Sequence, residues 1–369
     1  MNPAAKKIRV LIVDDSTFMR KVLQEIISSD PQLEVAGQAK DGREAIAMAD
    51  SLKPDVVTMD INMPRMDGLQ ATEHIMSQNP RPIVVVSSES RDGAASTLCA
   101  LELGAIEFVP KPSSGIDLDL KSVGDDLNRK LKMAAKVRVV RTAARVKPHL
   151  GGVRHSATHS SDSRQLGAST GNRFPVVVMA ASTGGPAAIM RLAPGFPKDF
   201  PAAVLLVQHM PPAFTSQYAV QLAEVADLEV KEAEPNEPLR PGVIYVCPGS
   251  HHLRITSQGR ISLDDGPRIG GYRPCADVAM ESVAAFAGSM TVGVVLTGMG
   301  NDASRGVQSI KSAGGAVLAQ DEATAVIFGM PAEAIKTGAV DQVLPLDQIC
   351  PAIDKRIRRM APMSPVGAR

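Results

Sequence analysis

The chain has 369 residues, enough for two domains that each bury a core, and its hydrophobic share of 44% is that of a globular protein. A formal net charge of +1 and an aromatic share of 3%, with no Trp, give no reason to expect binding to nucleic acid or insertion into a membrane. The four cysteines lack metal-site or disulfide spacing. The first twenty residues lack an apolar core of signal-peptide length and no later run approaches a membrane span, so we expect a cytoplasmic protein.

The first segment, residues 1–125, alternates short apolar runs with helical patterns. A helix is predicted at 18–27, directly after the first strand. Such alternation predicts a doubly wound parallel sheet, in which ligands bind beyond the carboxyl ends of the strands. The predicted strands span residues 8–13, 35–39, 55–59, 82–86 and 106–109.

Five polar residues stand where these predicted strands end: Asp14, Asp15, Asp60, Ser87 and Lys111. Three carboxylates crowded together repel one another unless a cation joins them, and their oxygens suit Mg²⁺. Asp60 is then placed to attack a phosphoryl donor and form an aspartyl phosphate. Lys111 would neutralise the phosphoryl charge, and Ser87 would hydrogen-bond one of its oxygens. Taken alone, any one of these aspartates is more simply a cap or turn residue.

The first segment resembles the receiver domains of two-component response regulators. The resemblance is carried by Val-Asp-Asp-Ser at 13–16, Met-Asp-Ile-Asn-Met-Pro-Arg-Met-Asp-Gly at 59–68 and Val-Pro-Lys-Pro at 109–112. It implies that Asp60 is the phosphoacceptor and shares an Mg²⁺ ion with Asp14 and Asp15. Asn62 would add a backbone carbonyl to that ion. Phe108 holds the position of the family's switch aromatic, although core packing explains an aromatic there equally well.

The segment that follows changes character twice. A mixed-charge amphipathic pattern predicts a helix over residues 117–140, and from 138 to 173 Arg, Lys, Ser, Thr, Gly and His replace the apolar period. That composition is typical of a flexible, basic linker. Its histidines, His149, His155 and His159, have no spacing that fits a compact metal site.

Strand–helix alternation then resumes and predicts a second doubly wound sheet. A helix is predicted at 278–287. The predicted strands span residues 176–181, 202–207, 243–246, 252–255, 260–263, 291–296 and 316–319. The chain is thus divided into a first domain at 1–125, a helix extension and linker at 126–173, a second domain at 174–356 and a tail at 357–369.

Residues 176–186 are the stretch around which the second domain is organised. A buried strand leads to Ser182 on a sharp turn, and two glycines and Pro186 open a helix. Such a turn lifts the hydroxyl above the sheet and leaves free backbone N–H groups beside it, where an oxyanion could sit. On this stretch alone, a helix N-cap or an anion-binding glycine loop explains the serine better than a nucleophile does.

Two further polar residues, His209 and Asp302, follow buried strands of the second domain. Acyl transfer needs a hydroxyl, an imidazole that takes its proton and a carboxylate that fixes the imidazole tautomer, and Ser182, His209 and Asp302 supply these groups. Their chain order differs from that of α/β-hydrolases, so we expect a different scaffold. Backbone N–H groups near Thr183 and Met299 are candidates for an oxyanion hole. Singly, His209 is more simply a loop histidine and Asp302 a helix N-cap.

The second domain resembles the catalytic domain of the bacterial chemotaxis protein-glutamate methylesterases. The resemblance implies that Ser182 is the nucleophile, His209 the general base and Asp302 its orienting carboxylate. Thr183 and Met299 would support the oxyanion and the triad. The matching words are Ala-Ser-Thr-Gly-Gly-Pro at 181–186, Gln-His-Met-Pro at 208–211, Pro-Gly-Ser-His-His at 248–252, Leu-Thr-Gly-Met-Gly-Asn-Asp at 296–302 and Ala-Gln-Asp-Glu at 319–322.

Together the two resemblances imply an α/β protein with a flavodoxin-like receiver and a Rossmann-like catalytic domain, joined by a flexible linker. Its expected function is a phosphorylation-activated esterase that hydrolyses glutamate methyl esters on chemoreceptors, releases methanol and deamidates particular glutamines. A sensor histidine kinase would be the phosphodonor, Mg²⁺ would bind in the receiver with no cofactor in the catalytic domain, and the resting form would be a monomer. We expect the unphosphorylated receiver to pack near Ser182 and restrict access.

Two other classes remain open from the sequence. A phospho-gated docking protein without enzymatic activity would carry the same domains, and it predicts that Ser182→Ala leaves function intact. A DNA-binding response regulator is weakly supported, because no helix-turn-helix candidate follows the receiver and the basic residues lie in the linker.

Overall fold

A computed structural model describes residues 6–88, 90–111, 117–137, 139 and 174–360 of the chain. Its first part is a five-stranded parallel sheet of order β2-β1-β3-β4-β5. The strands are β1 (Ile8–Val13), β2 (Leu33–Ala39), β3 (Val56–Met59), β4 (Ile83–Ser87) and β5 (Glu107–Pro110). The helices are α1 (Thr17–Ser28), α2 (Gly42–Leu52), α3 (Gly68–Gln78), α4 (Arg91–Glu102) and α5 (Asp117–Ala134).

Both faces of this first sheet are covered, as the unbroken apolar character of its strands requires. Alternate residues of a strand point to opposite faces. Val10 and Ile12 of β1 belong to a core shared with α1 and α5, whereas Leu11 and Val13 belong to a core shared with α2, α3 and α4. The sheet therefore lies between two helical layers. Because its strands are parallel, their carboxyl ends lie together at one open side of the sheet.

The second part is built on a seven-stranded sheet with a small antiparallel hairpin beside it, β10 with β11. Its strands are β6 (Val176–Ala181), β7 (Ala203–Gln208), β8 (Glu229–Glu232), β9 (Val243–Val246), β10 (His252–Ile255), β11 (Ile261–Asp264), β12 (Thr291–Val295), β13 (Ala316–Gln320) and β14 (Gln342–Leu344). Its helices are α6 (Gly185–Leu192), α7 (Pro212–Val225), α8 (Ala276–Ala287), α9 (Ser304–Ser312), α10 (Met330–Lys336) and α11 (Leu346–Met360).

The order of the large sheet is β14-β13-β12-β6-β7-β9-β8, and all its pairings are parallel. The chain starts in the middle at β6, continues to β7, passes to the edge strand β8, comes back to β9 between β7 and β8, and later returns to the other side of β6 at β12. This reversal is a topological switch point, where open α/β sheets bind their ligands. The residues that follow β6, β7 and β12 therefore meet at one edge of the sheet.

The predicted fold class, two parallel-sheet α/β domains, is confirmed. Helix α5 ends at Ala134, six residues before the predicted end. Two strands were missed, β8 and β14, which are short, partly exposed edge strands. Their sequences carry too few apolar residues to give a strand signal. The linker histidines and nearly all of the predicted linker lie outside the described residues, as do residues 361–369 of the predicted tail.

The two parts of the chain contact each other through α4 and β5 of the first part, which meet helices of the second part. Helix α4 packs against α7 and α6. Gln221 of α7 donates hydrogen bonds to the Ala95 carbonyl at 3.3 Å and to Cys99 Sγ at 3.9 Å. The rings of Phe108 and Phe214 lie 4.4 Å apart between centroids, at an angle of 41°. Within the described part of the chain, no helix is both long and apolar enough to cross a membrane.

Candidate active site and phosphoryl site

Ser182 lies directly after β6, on the turn that leads into α6. The turn depends on Gly184, whose φ of 75° is in the left-handed region that other residues rarely adopt. Pro186 occupies the first turn of α6, where no N–H is needed. The serine is half-buried, and its backbone N–H donates to the Thr297 carbonyl at 3.0 Å. The turn is therefore tied to the loop that follows β12.

The carbonyls of this turn have fixed partners. Gln208 Nε2, at the end of β7, donates to the Ser182 carbonyl at 2.9 Å. Thr297 Oγ1 donates to the Thr183 carbonyl at 2.9 Å. Among the described residues, neither the Thr183 N–H nor the Met299 N–H donates to a protein acceptor. The two N–H groups predicted for an oxyanion hole are thus unpaired within the described chain, and their role stays a prediction.

His209 follows β7 and pairs with Asp302, which follows β12. Their Nε2 and Oδ2 atoms lie 2.7 Å apart, and the His209 side chain is only 13% exposed. The other ring nitrogen, Nδ1, is buried and has no hydrogen-bond partner in the described chain. No hydrogen bond joins Ser182 to His209 across the described ranges. With Nε2–H held by the carboxylate, Nδ1 is the nitrogen that can accept a proton.

Asp302 is buried, and four donors surround its carboxylate besides His209. Oδ2 accepts from the Ala276 N–H at 2.7 Å, and Oδ1 accepts from the N–H groups of Asp277 and Ala303 at 2.9 Å each. Cys275 donates its thiol to Oδ1 at 3.2 Å. Burial opposes ionisation, yet the His209 contact and these N–H groups lower the pKa of Asp302 to about 2. The aspartate is therefore a permanent anion beside the imidazole.

Cys275, Asp277 and Asp302 lie close enough to be considered as metal ligands. The polar atoms of these three side chains already have hydrogen-bond partners within the protein. Asp277 accepts from the Gly306 N–H at 2.7 Å and from Arg305 Nε at 3.1 Å. Burial and the charge of Asp302 raise the pKa of Cys275 to about 12, so it is a neutral thiol and a poor ligand. Hydrogen bonding accounts for this cluster, and the absence of a cofactor from the second domain stays a prediction.

A second polar site lies at the carboxyl edge of the first sheet. Lys111 Nζ lies 2.8 Å from Asp60 Oδ2 and 3.0 Å from Asp14 Oδ2. Asp14 and Asp60 are buried, whereas Asp15 and Asn62 are exposed. Burial is the largest cause that raises the pKa of Asp60, and the contacts with Lys111 oppose it. Burial also opposes ionisation of Lys111, but its two carboxylate partners give a net rise in its pKa.

The acidic residues of this second site fit a divalent cation. One carboxylate oxygen from each of Asp14, Asp15 and Asp60 lies within 4.8 Å of the others. Asp14 Oδ2 is buried, and the Lys111 ammonium lies 3.0 Å from it. Hard oxygen ligands beside an open, solvent-facing carboxylate suit Mg²⁺, which keeps several waters.

Ser87 and Phe108 are placed differently from the acidic group. Ser87 is the last residue of β4, and its hydroxyl donates to the Gly93 carbonyl at 3.2 Å. Phe108 is buried against Phe214 of the second domain. Lys130 Nζ lies 5.4 Å from the centroid of the Phe108 ring. The predicted switch aromatic therefore lies in the contact between the two halves.

The chain is similar in sequence to known proteins over both of its parts. A family model described as "CheB methylesterase" matches residues 177–353, and one for the response regulator receiver domain matches residues 10–121. A Pyrococcus horikoshii protein named protein-glutamate methylesterase/protein-glutamine glutaminase is 46% identical over 355 residues, covering 95% of this chain and 94% of the relative. The chain belongs to this methylesterase family.

Other members of the methylesterase family are nearly as similar. The Thermotoga maritima protein of the same name is 42% identical over 345 residues, covering 93% of this chain and 96% of the relative. The crystal structure of the Thermotoga maritima CheB methylesterase catalytic domain is 40% identical and has a TM-score of 0.49. It covers 50% of this chain and 99% of that one.

Several residues that shape the methylesterase site carried no role in the sequence analysis. Gln208 and Thr297 appeared there only as members of the matching motifs at 208–211 and 296–302. Tyr272, which stacks on His209, and Cys275, which contacts Asp302, lie in an irregular segment without a periodic pattern. Glu107, which accepts from Thr183, comes from the other domain. No local signal in one sequence could have found such contacts.

Proposed function

We propose that the chain is a phosphorylation-activated serine esterase that hydrolyses glutamate methyl esters on chemoreceptors and deamidates particular receptor glutamines. The single observation that carries this proposal is the buried His209–Asp302 pair at 2.7 Å, at the sheet edge from which Ser182 projects. The proposed domains are the receiver at 1–125, the linker at 126–173, the catalytic domain at 174–356 and the tail at 357–369. We place the protein in the cytoplasm as a monomer.

The proposed chemistry begins at Ser182. Its hydroxyl oxygen attacks the γ-carbonyl carbon of the ester while His209 Nδ1 takes the hydroxyl proton. Asp302 stabilises the imidazolium through Nε2. The N–H groups of Thr183 and Met299 bind the oxyanion of the tetrahedral intermediate. His209 then protonates the departing methoxide, methanol leaves, and a water molecule hydrolyses the acyl-enzyme by the same route. With a glutamine substrate, ammonia leaves instead.

The proposed switch begins at Asp60, which accepts the phosphoryl group from a sensor histidine kinase. Asp14, Asp15, Asp60 and the Asn62 carbonyl would hold Mg²⁺, which would neutralise charge in phosphoryl transfer. Lys111, already beside Asp60, would pair with a phosphoryl oxygen. Ser87 Oγ would exchange its Gly93 carbonyl for another phosphoryl oxygen. Loss of the hydrogen bond between Ser87 and Gly93 would weaken the connection between β4 and α4, and α4 is part of the contact between the domains.

Three contacts support the proposal that the unphosphorylated receiver restricts the site. Glu107 accepts from Thr183, Phe108 packs on Phe214, and Arg129 Nη1 lies 3.3 Å from Met299 Sδ. Two of these partners, Thr183 and Met299, flank the proposed oxyanion position. Phosphorylation would shift the population toward an arrangement in which these contacts are broken.

The test is methanol release from methylated receptor membranes by wild type, Ser182→Ala and Asp60→Asn, each with and without acetyl phosphate and Mg²⁺. We expect donor-stimulated activity in wild type, no activity in Ser182→Ala, and unstimulated activity alone in Asp60→Asn. If Ser182→Ala is as active as wild type, the triad is wrong. If wild type releases no methanol but binds receptors, a docking protein becomes the better description.

A further inference from the structure

Tyr272 lies flat on the imidazole of His209. The ring centroids are 4.5 Å apart, and the ring planes meet at 17°. Asp302 holds the edge of the imidazole at Nε2, whereas Tyr272 covers one of its faces. One hydrogen bond still allows the imidazole to turn about its Cβ–Cγ bond. A stacked neighbour removes this freedom.

Tyr272 is itself held in place by its loop. The N–H and carbonyl of Tyr272 exchange hydrogen bonds with those of Ile269, both at 3.0 Å, which closes a tight bridge around two glycines. The Tyr272 hydroxyl occupies space beside Gly300, where an added Cβ would lie 1.9 Å from that oxygen. The loop before α8 and the loop after β12 thus both fix the position of the phenol ring.

We propose that Tyr272 is a positioning residue for His209, acting through its ring rather than through its hydroxyl. This inference rests on the proposed role of His209 as the base. By stacking, Tyr272 keeps Nε2 on Asp302 and therefore keeps Nδ1 free to take a proton. It also keeps bulk water from one face of the imidazole.

The surroundings of the hydroxyl argue against a direct acid–base role. Burial, and then the charge of Asp302, raise the pKa of Tyr272, while Arg129 of the receiver opposes the rise. The phenol is thus neutral at physiological pH and is no rival to His209 as a base. What Tyr272 contributes is the area and orientation of its ring, which phenylalanine would retain.

The first experiment compares Tyr272→Leu with Tyr272→Phe in methanol release. Misplacing a catalytic group by about 1 Å can cost about 100-fold in rate, so we expect Tyr272→Leu to lose about 10- to 100-fold in kcat with KM nearly unchanged. Tyr272→Phe should restore most of kcat. Arg268→Ala, which alters an exposed residue of the same loop, is the control for general loop disturbance.

Each outcome separates this inference from the proposed triad. If Ser182→Ala retains activity in the same assay, the triad fails and the Tyr272 role with it. If Ser182→Ala is inactive but Tyr272→Leu keeps the wild-type kcat, the triad stands and the positioning role is wrong. If Tyr272→Phe loses as much as Tyr272→Leu, the hydroxyl carries the effect and the ring assignment is wrong.

A second readout does not depend on turnover. The Hε1 proton of a stacked imidazole lies in the shielding region of the tyrosine ring. We expect the His209 Hε1 resonance of the wild-type full chain to be shifted upfield, with His209→Gln identifying it among the seven histidines. The shift should persist in Tyr272→Phe and disappear in Tyr272→Leu. An unshifted resonance in wild type would rule out the stack in solution.

Discussion

The hydroxyl of Thr183 donates to Glu107 Oε2 at 2.6 Å, which links the residue after the proposed nucleophile directly to the receiver domain. Both side chains are buried, with Thr183 at 3% and Glu107 at 9% exposure. Glu107 immediately precedes Phe108, the predicted switch aromatic. A movement of β5 in the receiver would therefore act on the turn that carries Ser182 without any intervening residue.

We expect Glu107→Ala to raise the activity of the unphosphorylated chain. The variant loses the hydrogen bond that joins the domains, and couplings of this kind typically correspond to about fivefold or more in an equilibrium. Methanol release without phosphodonor measures the effect. Glu107→Gln is the matched control, because its side-chain carbonyl can still accept from Thr183, and its basal activity should stay closer to wild type. Unchanged basal activity in Glu107→Ala, with donor stimulation intact, would contradict a restraining role.

Sequence patterns predict the position of a site residue in this protein where that position depends on a single strand or helix. Ser182, His209 and Asp302 each follow an apolar strand, and parallel strands end at the same edge, so their convergence could be foreseen. The contacts of Glu107 with Thr183 and of Tyr272 with His209 could not. Each joins segments that are far apart in the sequence, and their relative position depends on tertiary packing and not on the pattern of either segment.

Replacing Asp302 with asparagine should remove most of the activity. Asparagine would present an amide to a nitrogen that must itself donate, so the imidazole would lose its tautomer and its charge partner. We expect kcat to fall on the order of 10⁴-fold, as replacement of the orienting carboxylate does in other triads. Cys275→Ala is the control, because it removes a neighbour of Asp302 but leaves the His209 bond. A loss of less than tenfold in Asp302→Asn would show that the pair is not catalytic.

Asp302 should also contribute to stability in a pH-dependent way. Its pKa falls from 3.8 to about 2 on folding, so the stabilisation is fully present above pH 3.8 and is lost as the pH falls through 2. A shift of this size corresponds to about 2 kcal/mol. Urea unfolding between pH 5 and pH 2 should show a shallower decline for Asp302→Asn than for wild type. Asp264→Asn, at an exposed position, should follow wild type, and equal declines in all three proteins would refute the assignment.

Cys99 offers a chemical reporter of domain opening. It is the one half-buried thiol of the four, on α4 against Gln221 of α7, whereas Cys247, Cys275 and Cys350 are buried. Burial, and then the charge of Glu102, raise the pKa of Cys99, and burial raises the pKa of Cys350 to about 12. Alkylation at pH 8 should therefore be slow at all four sites in the resting chain.

Acetyl phosphate with Mg²⁺ should accelerate alkylation at Cys99 alone, because separation of α4 from α7 exposes its sulfur and removes Gln221. Mass spectrometry of iodoacetamide-treated protein measures the rate at each cysteine. Cys99→Ser should abolish the accelerated labelling, and Asp60→Asn should leave the rate at its resting value with or without donor. If the donor speeds labelling equally in Asp60→Asn, the acceleration does not report phosphorylation. If it changes no rate in wild type while methanol release rises, the active form keeps α4 against α7, and activation proceeds through the contacts of Glu107 and Arg129 instead.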